Sequence, residues 1–420
     1  MTMVIHKPSR LLPLLLALVF ITGCTQARFN PVSTAPLPQP GLTPERIILN
    51  LTQTPATSQA VTWRTTAIVT TPKAQIAIAT GSPVFRTKAT TLTALSESIK
   101  SDDAPLVFYH SVTFKDLAPN TLYAYRVGDD THWSEWNQFK TASATPQPFS
   151  FIYFGDPQDE VGSMCARTFR TAFKTAPDAA FWHFVGDMVN NGDKDAEWQE
   201  LFDAFGWIPR TTPMILLPGN HAYPDKRFVK GDAFKIFPQW RPQFTLPQNG
   251  PKGLEETAYA IDYQGVRFIM LNGNEKLQEQ AEWLNTVLAN NPQPWTIAAI
   301  HQPIYATGRK RNDQQRQALF VPVFDKYSVD LVLQGHEHSY ARTQRLFNGQ
   351  PATAPHKGTV YITSVCGPKA YPANHRYDHL TETTGTGRQL FQVIRVNSKS
   401  LTYEAFDSAG NPYDRVELIK

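Results

Sequence analysis

The sequence predicts two folded parts in series: a small all-β sandwich over residues 45–142, then a larger α/β domain of mixed sheets flanked by helices over residues 148–420. Three observations predict it. Short β-rich runs follow one another through residues 45–142 with no helix-period segment between them. After the link Thr145-Pro146-Gln147-Pro148, apolar strands alternate with helical patterns. In this second part Asp, Asn and His stand repeatedly where a strand stops.

A chain of 420 residues exceeds one ordinary core, and 41% apolar with 18% charged residues describes a globular protein. The net charge of +4 is small for this size and gives no ground for a nucleic-acid-binding module. Lys7 and Arg10 precede an apolar run over residues 11–21 that is short for a bilayer span and reads as an export signal. The run ends in Ile21-Thr22-Gly23-Cys24, which resembles the bacterial lipobox. That resemblance implies cleavage after residue 23, lipidation of Cys24 and anchoring to the cell envelope, with Thr25 pointing to the outer-membrane or periplasmic side. A plain secretory signal is the alternative. Removing residues 1–23 takes away Lys7 and Arg10, so the mature charge is +4 − 2 = +2.

Residues 24–44 are Pro-rich and aperiodic and read as an extended tether. Strands are expected over 47–51, 60–65, 75–80, 107–114, 122–127 and 135–141. The run Leu117-Ala118-Pro119-Asn120-Thr121-Leu122-Tyr123 resembles the fibronectin type III corner, in which a Tyr hydrogen-bonds back to the chain; this gives Tyr123 a structural role. In the second part strands are expected over 149–154, 179–185, 214–217, 258–262, 266–271, 295–300, 330–333, 359–365, 390–396 and 401–406. Helices are expected over 165–175, 194–205, 276–289 and 315–326. Residues 222–256, rich in Pro, Gly, Phe and Trp, read as a functional loop beside the substrate. Export would put Cys165 and Cys366 in an oxidising compartment, where they either pair or remain thiols; their spacing leaves this open.

The chemistry lies at the strand ends. Successive apolar runs stop at Gly155-Asp156-Pro157-Gln158, Gly186-Asp187, Gly219-Asn220-His221, His301 and Gly335-His336-Glu337-His338. Parallel strands deliver their carboxyl ends to one crevice, so two Asp, one Asn and four His converge there. Carboxylate, amide oxygen and neutral imidazole together suit divalent ions such as Zn, Fe or Mn. His183, inside its strand, reads as structural, and Glu337 as a solvated or capping residue. His375 and His379 belong either to the site or to a surface loop.

These five blocks, with Gly335 to Arg342 reading GHEHSYAR, resemble the calcineurin-like metallophosphoesterases, and the β-rich part in front resembles their purple acid phosphatase branch. The resemblance implies two metal ions, divalent or trivalent. Asp187 would bridge them, Asp156 and His338 would hold the first, and Asn220, His301 and His336 the second. His221 would act on the scissile phosphate. The implied reaction is hydrolysis of a small phosphate ester by direct attack of metal-bound water or hydroxide, acid-phosphatase-like on monoesters. A phosphodiesterase or nucleotidase on the same site is the first alternative. A catalytically weak surface binding or adhesion lipoprotein is the second. Three positions depart from the family: Asn190 replaces the iron-binding Tyr of the purple enzymes, Gln158 replaces a His, and Ala222 replaces an acid. Gln158 and Asn190 are therefore read as weak ligands or as supports behind the ligands. The basic run Arg309-Lys310-Arg311 supplies Arg309 and Arg311 as substrate-binding candidates, against the plainer reading of a solvated loop.

Overall fold

Two large sheets face each other, and a smaller one completes the sandwich at the amino-terminal end. The computed structural model describes residues 41–229, 231–308, 314–354 and 357–420. The export signal, Cys24, most of the tether, Arg309 and Arg311 lie outside these residues. Among the described residues no helix is long and apolar enough to cross a membrane.

The first sheet has ten strands, in the order Pro412–Ile419, Ser400–Asp407, Leu390–Val396, Phe149–Phe154, Trp182–Phe184, Met214–Leu216, Glu45–Asn50, Gln59–Thr65, Val107–Phe114 and Leu95–Ile99. The second has seven, in the order Tyr259–Tyr263, Val266–Leu271, Trp295–Ile300, Leu331–Gln334, Val360–Thr363, Tyr340–Thr343 and Thr381–Gly385. Phe149–Phe154, Trp182–Phe184 and Met214–Leu216 run parallel, as do Val266–Leu271, Trp295–Ile300, Leu331–Gln334 and Val360–Thr363. Two parallel blocks thus bring their carboxyl ends to one edge, as the alternation of strands and helices requires.

Alternation along Phe149–Phe154 explains the layering. Phe151 packs edge-to-face on Phe268 of the second sheet at 5.3 Å, and the Tyr153 hydroxyl donates to the Gln334 carbonyl. Phe154 turns the other way and meets Phe169 of the helix Ala166–Thr175 at 5.3 Å. The outer face of the second sheet is covered by the helices Leu277–Ala289 and Gln314–Lys326, through Leu284, Leu288, Phe320 and Phe324.

The amino-terminal sandwich sets four strands of the large sheet against the sheet Thr90–Thr93, Lys73–Ile78, Leu122–Gly128, Asn137–Lys140. Trp63, Phe114, Tyr125 and Phe139 fill the space between them. The Tyr123 hydroxyl accepts the Ala118 amide at 2.8 Å, closing the expected corner.

This sandwich is continuous with the large sheet. Asn50 pairs with Met214, and the Met214 carbonyl accepts both the Leu51 amide and the Asn50 side-chain amide at 3.2 Å. Further along that edge the Tyr259 hydroxyl takes both free groups of Leu216, donating to its carbonyl at 2.6 Å and accepting its amide at 3.2 Å. A buried ion cluster adds to the join: Arg46 and Arg64 both reach the Asp195 carboxylate at 2.8 Å, at the start of the helix Asp195–Phe205. Cys165 and Cys366 are buried free thiols, so of the two readings the structure has the unpaired one.

Candidate metal centre

Every expected ligand lies just past the carboxyl end of a parallel strand, and four of them sit in strained backbone. Asp156, Asp187, His336 and His338 have φ of +46°, +46°, +73° and +49°. Left-handed backbone is unfavourable for residues with a Cβ and persists where surrounding structure imposes it, typically at working sites. The adjacent glycines are dictated by crowding. A Cβ on Gly219 would stand 2.0 Å from Asp187 Oδ1, and one on Gly335 would stand 2.3 Å from Asp156 Oδ2.

The donor atoms converge on His301. Its Nε2 lies 2.9 Å from Asp187 Oδ2, 3.1 Å from His336 Nδ1 and 3.3 Å from Asn220 Oδ1. Its Nδ1 lies 2.8 Å from the Val185 carbonyl oxygen, which can only accept, so the proton sits on Nδ1. Nε2 is thus the atom turned toward the Asp187 carboxylate, where it donates when protonated, and a shared cation would take the place of that proton. Asp187, His301 and His336 form a group whose ligand atoms all lie within 4.8 Å of one another.

The second half of the cluster is looser. His338 Nε2 is 3.8 Å from Asp156 Oδ1 and 3.1 Å from Gln158 Nε2. Gln158 Oε1 and His338 Nδ1 are buried without hydrogen-bond partners. The two ends of an amide are interchangeable in outline, so turning Gln158 over aims its carbonyl oxygen at the same point as Asp156 and His338. An orphaned buried carbonyl in that position fits a cation.

Electrostatics say the same. Burial raises Asp156 above the usual carboxylate range, and Asp187 raises it further, against the pull of His301. Burial opposes ionisation of Asp187 too, but His301, His221 and His336 outweigh it and hold that carboxyl below its ordinary value. Burial depresses His301, yet Asp187 and Asp156 leave it raised. Burial and the nearby Lys369 ammonium push His338 down to about 3, keeping it neutral and able to donate a lone pair.

His221 stands at the open side of this cluster. Its amide donates to Asp187 Oδ1 at 2.9 Å, its Nδ1 donates to the Asn190 carbonyl at 2.5 Å, and its Nε2 is 3.9 Å from Asp187 Oδ2. The partner that an acid at position 222 would have supplied is thus the backbone of Asn190. The Asn190 side chain is turned away and donates to Asp159. Ala222 is buried.

Several side chains near the site carried no marker in the sequence. Asn274 donates to the Gly219 carbonyl at 3.1 Å and accepts from Gln302 at 2.8 Å, bracing the Asn220 and His301 loops. Asp159 pairs with Lys369 at 3.4 Å, and the Tyr371 ring packs on His338 with centroids 4.8 Å apart. Glu337 is fully buried, which corrects the solvated reading; its place between two inward-facing ligands draws it in. His183 is fully buried in its strand. His375 is exposed and pairs with Asp378 at 2.7 Å, and His379 is exposed, so the surface-loop reading holds for both. In the loop over residues 222–256, Tyr223 and Trp240 are buried against the core.

Residues 44–141 match the purple acid phosphatase N-terminal domain, and residues 149–340 match the calcineurin-like phosphoesterase domain. Human acid phosphatase type 7 is 27% identical over 364 residues, covering 77% of this chain and 77% of its own. Purple acid phosphatase 1 of Ipomoea batatas is 25% identical over 254 residues, covering 57% of this chain and 53% of its own. Among solved structures, the yellow lupin purple acid phosphatase PPD1 shares the fold with a TM-score of 0.73 at 18% identity, covering 90% of this chain and 74% of its own. With both domains matched in tandem and a relative that aligns over 77% of the chain, the chain belongs to the calcineurin-like metallophosphoesterases of the purple acid phosphatase type, phosphoric ester hydrolases built on a binuclear metal centre.

Proposed function

We propose that this chain is an exported, lipid-anchored phosphatase that hydrolyses small phosphomonoesters at a binuclear site. Asp187 would be the shared ligand, Asp156 and His338 would hold one ion, and Asn220, His301 and His336 the other. The observation that carries this is the convergence on His301 Nε2 of Asp187, Asn220 and His336, with the His301 proton fixed on Val185. Bound cations at such a site lower the pKa of water and neutralise phosphate oxygens.

The chain's own residues do the rest. The Asp187 carboxylate, fully buried and held ionised by three imidazoles, supplies fixed negative charge that retains the ions. Burial keeps His338 a neutral donor, and the Val185 carbonyl, by taking Nδ1–H, turns the His301 Nε2 toward Asp187. His221 is oriented by two backbone contacts, with Nδ1–H on the Asn190 carbonyl and its own amide on Asp187. Its Nε2 is left facing the open side, placed to hold a proton against a leaving oxygen. Gln158 serves as a weak carbonyl ligand, and Asn190 as the support of His221.

Metal analysis of the purified protein, combined with a screen of mono- and diesters under Fe, Zn and Mn, tests this reading. Stoichiometric metal with preference for monoesters is expected; a metal-free protein inert on every ester would sink it. Lipidation at Cys24 rests on Lys7, Arg10 and Ile21-Thr22-Gly23-Cys24. Palmitate labelling that persisted in Cys24→Ala would refute it.

A further inference from the structure

The sequence pointed to the basic run at 309–311 for grip on the substrate, but the described residues present a different cation at the site. Lys369 follows the turn Cys366-Gly367, whose amides donate to the Gly155 carbonyl at 2.7 Å and the Asp156 carbonyl at 3.1 Å. A Cβ on Gly367 would stand 2.6 Å from the carbonyl oxygens of both Asp156 and Gln158, so this turn lies directly on the ligand loop. Two residues after Lys369, the Tyr371 amide donates to the His338 carbonyl at 3.1 Å and its ring packs on the His338 imidazole. Lys369 is therefore fixed between two segments that carry ligand candidates.

Its ammonium is held from two sides. Asp159 Oδ2 is 3.4 Å away, and the Tyr371 ring centroid is 5.9 Å away. The side chain remains about a quarter exposed. An ammonium has three protons, and one carboxylate oxygen at that distance leaves others for an incoming anion. Asp159 is also the link to the opposite wall: its Oδ1 accepts from Asn190 Nδ2, and the Asn190 carbonyl holds His221. A continuous polar rim thus runs from Lys369 through Asp159 and Asn190 to His221.

We propose that Lys369 is a substrate-binding residue that takes a non-bridging phosphate oxygen on the Asp156 and His338 side, and that Asp159 is the positioning residue setting both Lys369 and, through Asn190, His221. This rests on the phosphoesterase reading above and deepens it. It also gives the site a preference: a monoester dianion has an extra charged oxygen for the ammonium, which a diester lacks. Lys369 thereby favours terminal phosphate groups.

The test uses the metal-loaded full chain and the variants Lys369→Gln, Lys369→Arg and Asp159→Asn. Metal content, melting temperature, KM and kcat for one monoester and one diester, and calorimetric affinity for inorganic phosphate are measured. A lost charge-assisted contact predicts that Lys369→Gln raises monoester KM and weakens phosphate binding by about tenfold or more, with a smaller change for the diester. Metal content should hold, and Lys369→Arg should recover most of the loss. Asp159→Asn should shift kcat as well as KM, because it loosens His221. Unchanged phosphate affinity and KM in Lys369→Gln would overturn the proposal. So would loss of metal or of folded protein in Lys369→Gln together with phosphate binding that Lys369→Arg does not restore. If the wild-type chain hydrolyses no ester, the proposed function fails by itself, and phosphate calorimetry still decides the role of Lys369.

Discussion

Asp187 concentrates the chemistry at the scale of single residues, since it touches His301, His221 and the strained turn after its strand. Asp187→Asn keeps the shape but removes the charge that would offset bound ions. Metal content and activity should fall together, activity by at least about a hundredfold; full activity in that variant would refute the ligand assignment. Asn190 makes a second prediction. With its amide on Asp159 and no Tyr at that position, the iron-loaded protein should show no visible tyrosinate charge-transfer band, which an absorption spectrum checks. His183 makes a third. Burial alone drives it down to about 3, and neither ring nitrogen has a hydrogen-bond partner. A folded-state pKa below the unfolded value near 6.5 means that the unfolded chain binds the proton first. The resulting stability is present above pH 6.5 and lost as pH falls towards 3. His183→Leu should therefore flatten the fall of the urea midpoint over that window relative to wild type. The proposed ligands were legible in the sequence as candidates because each follows the end of an apolar run. Asp159 and Lys369 were not, because their pairing depends on loops far apart in the chain meeting over His338.

At the scale of elements, legibility followed burial. The runs at 107–114, 295–300 and 390–396 were found to the residue, because their apolar content has no other use. Besides the buried Tyr340–Thr343, whose residues make no apolar run, and the two-residue strands Leu346–Phe347 and Gln350–Pro351, the strands that went unforeseen are Thr90–Thr93, Leu95–Ile99, Thr381–Gly385 and Pro412–Ile419. These four lie at or near sheet edges with largely exposed or half-exposed side chains, so solvent erased the pattern that marks a strand. The corner at Tyr123 was readable because its chemistry is local. Tyr123→Phe leaves the Ala118 amide without its acceptor and should cost about 1 kcal/mol in urea unfolding, with kcat unchanged.

The whole molecule is joined where the sequence carries least warning. The meeting of Asn50 with Met214 is one residue pair between strands that share no pattern. Arg46, Arg64 and Asp195 reinforce it from the interior, with Arg46 also reaching Gln199 and the Tyr109 hydroxyl. Burial opposes ionisation of Asp195, but hydrogen bonds and attraction from the two guanidiniums keep its carboxyl below the usual range. Asp195→Ala leaves Arg46 without a carboxylate partner and Arg64 with Glu45 alone, and should cost about 3–5 kcal/mol, read as a drop in the denaturation midpoint.

The strand Met214–Leu216 ends one parallel block, and its outer rim is covered at one point by Asn50 and Leu51 and at the next by the Tyr259 hydroxyl. A fragment trimmed to begin at residue 143 would keep the second cover and lose the first. Its exposed main-chain groups would be a template for another copy of the same strand, so the trimmed chain should elute as larger assemblies than the full chain does. The amino-terminal sandwich therefore acts as a guard on solubility, and a catalytic core made without it is expected to be sticky before it is inactive.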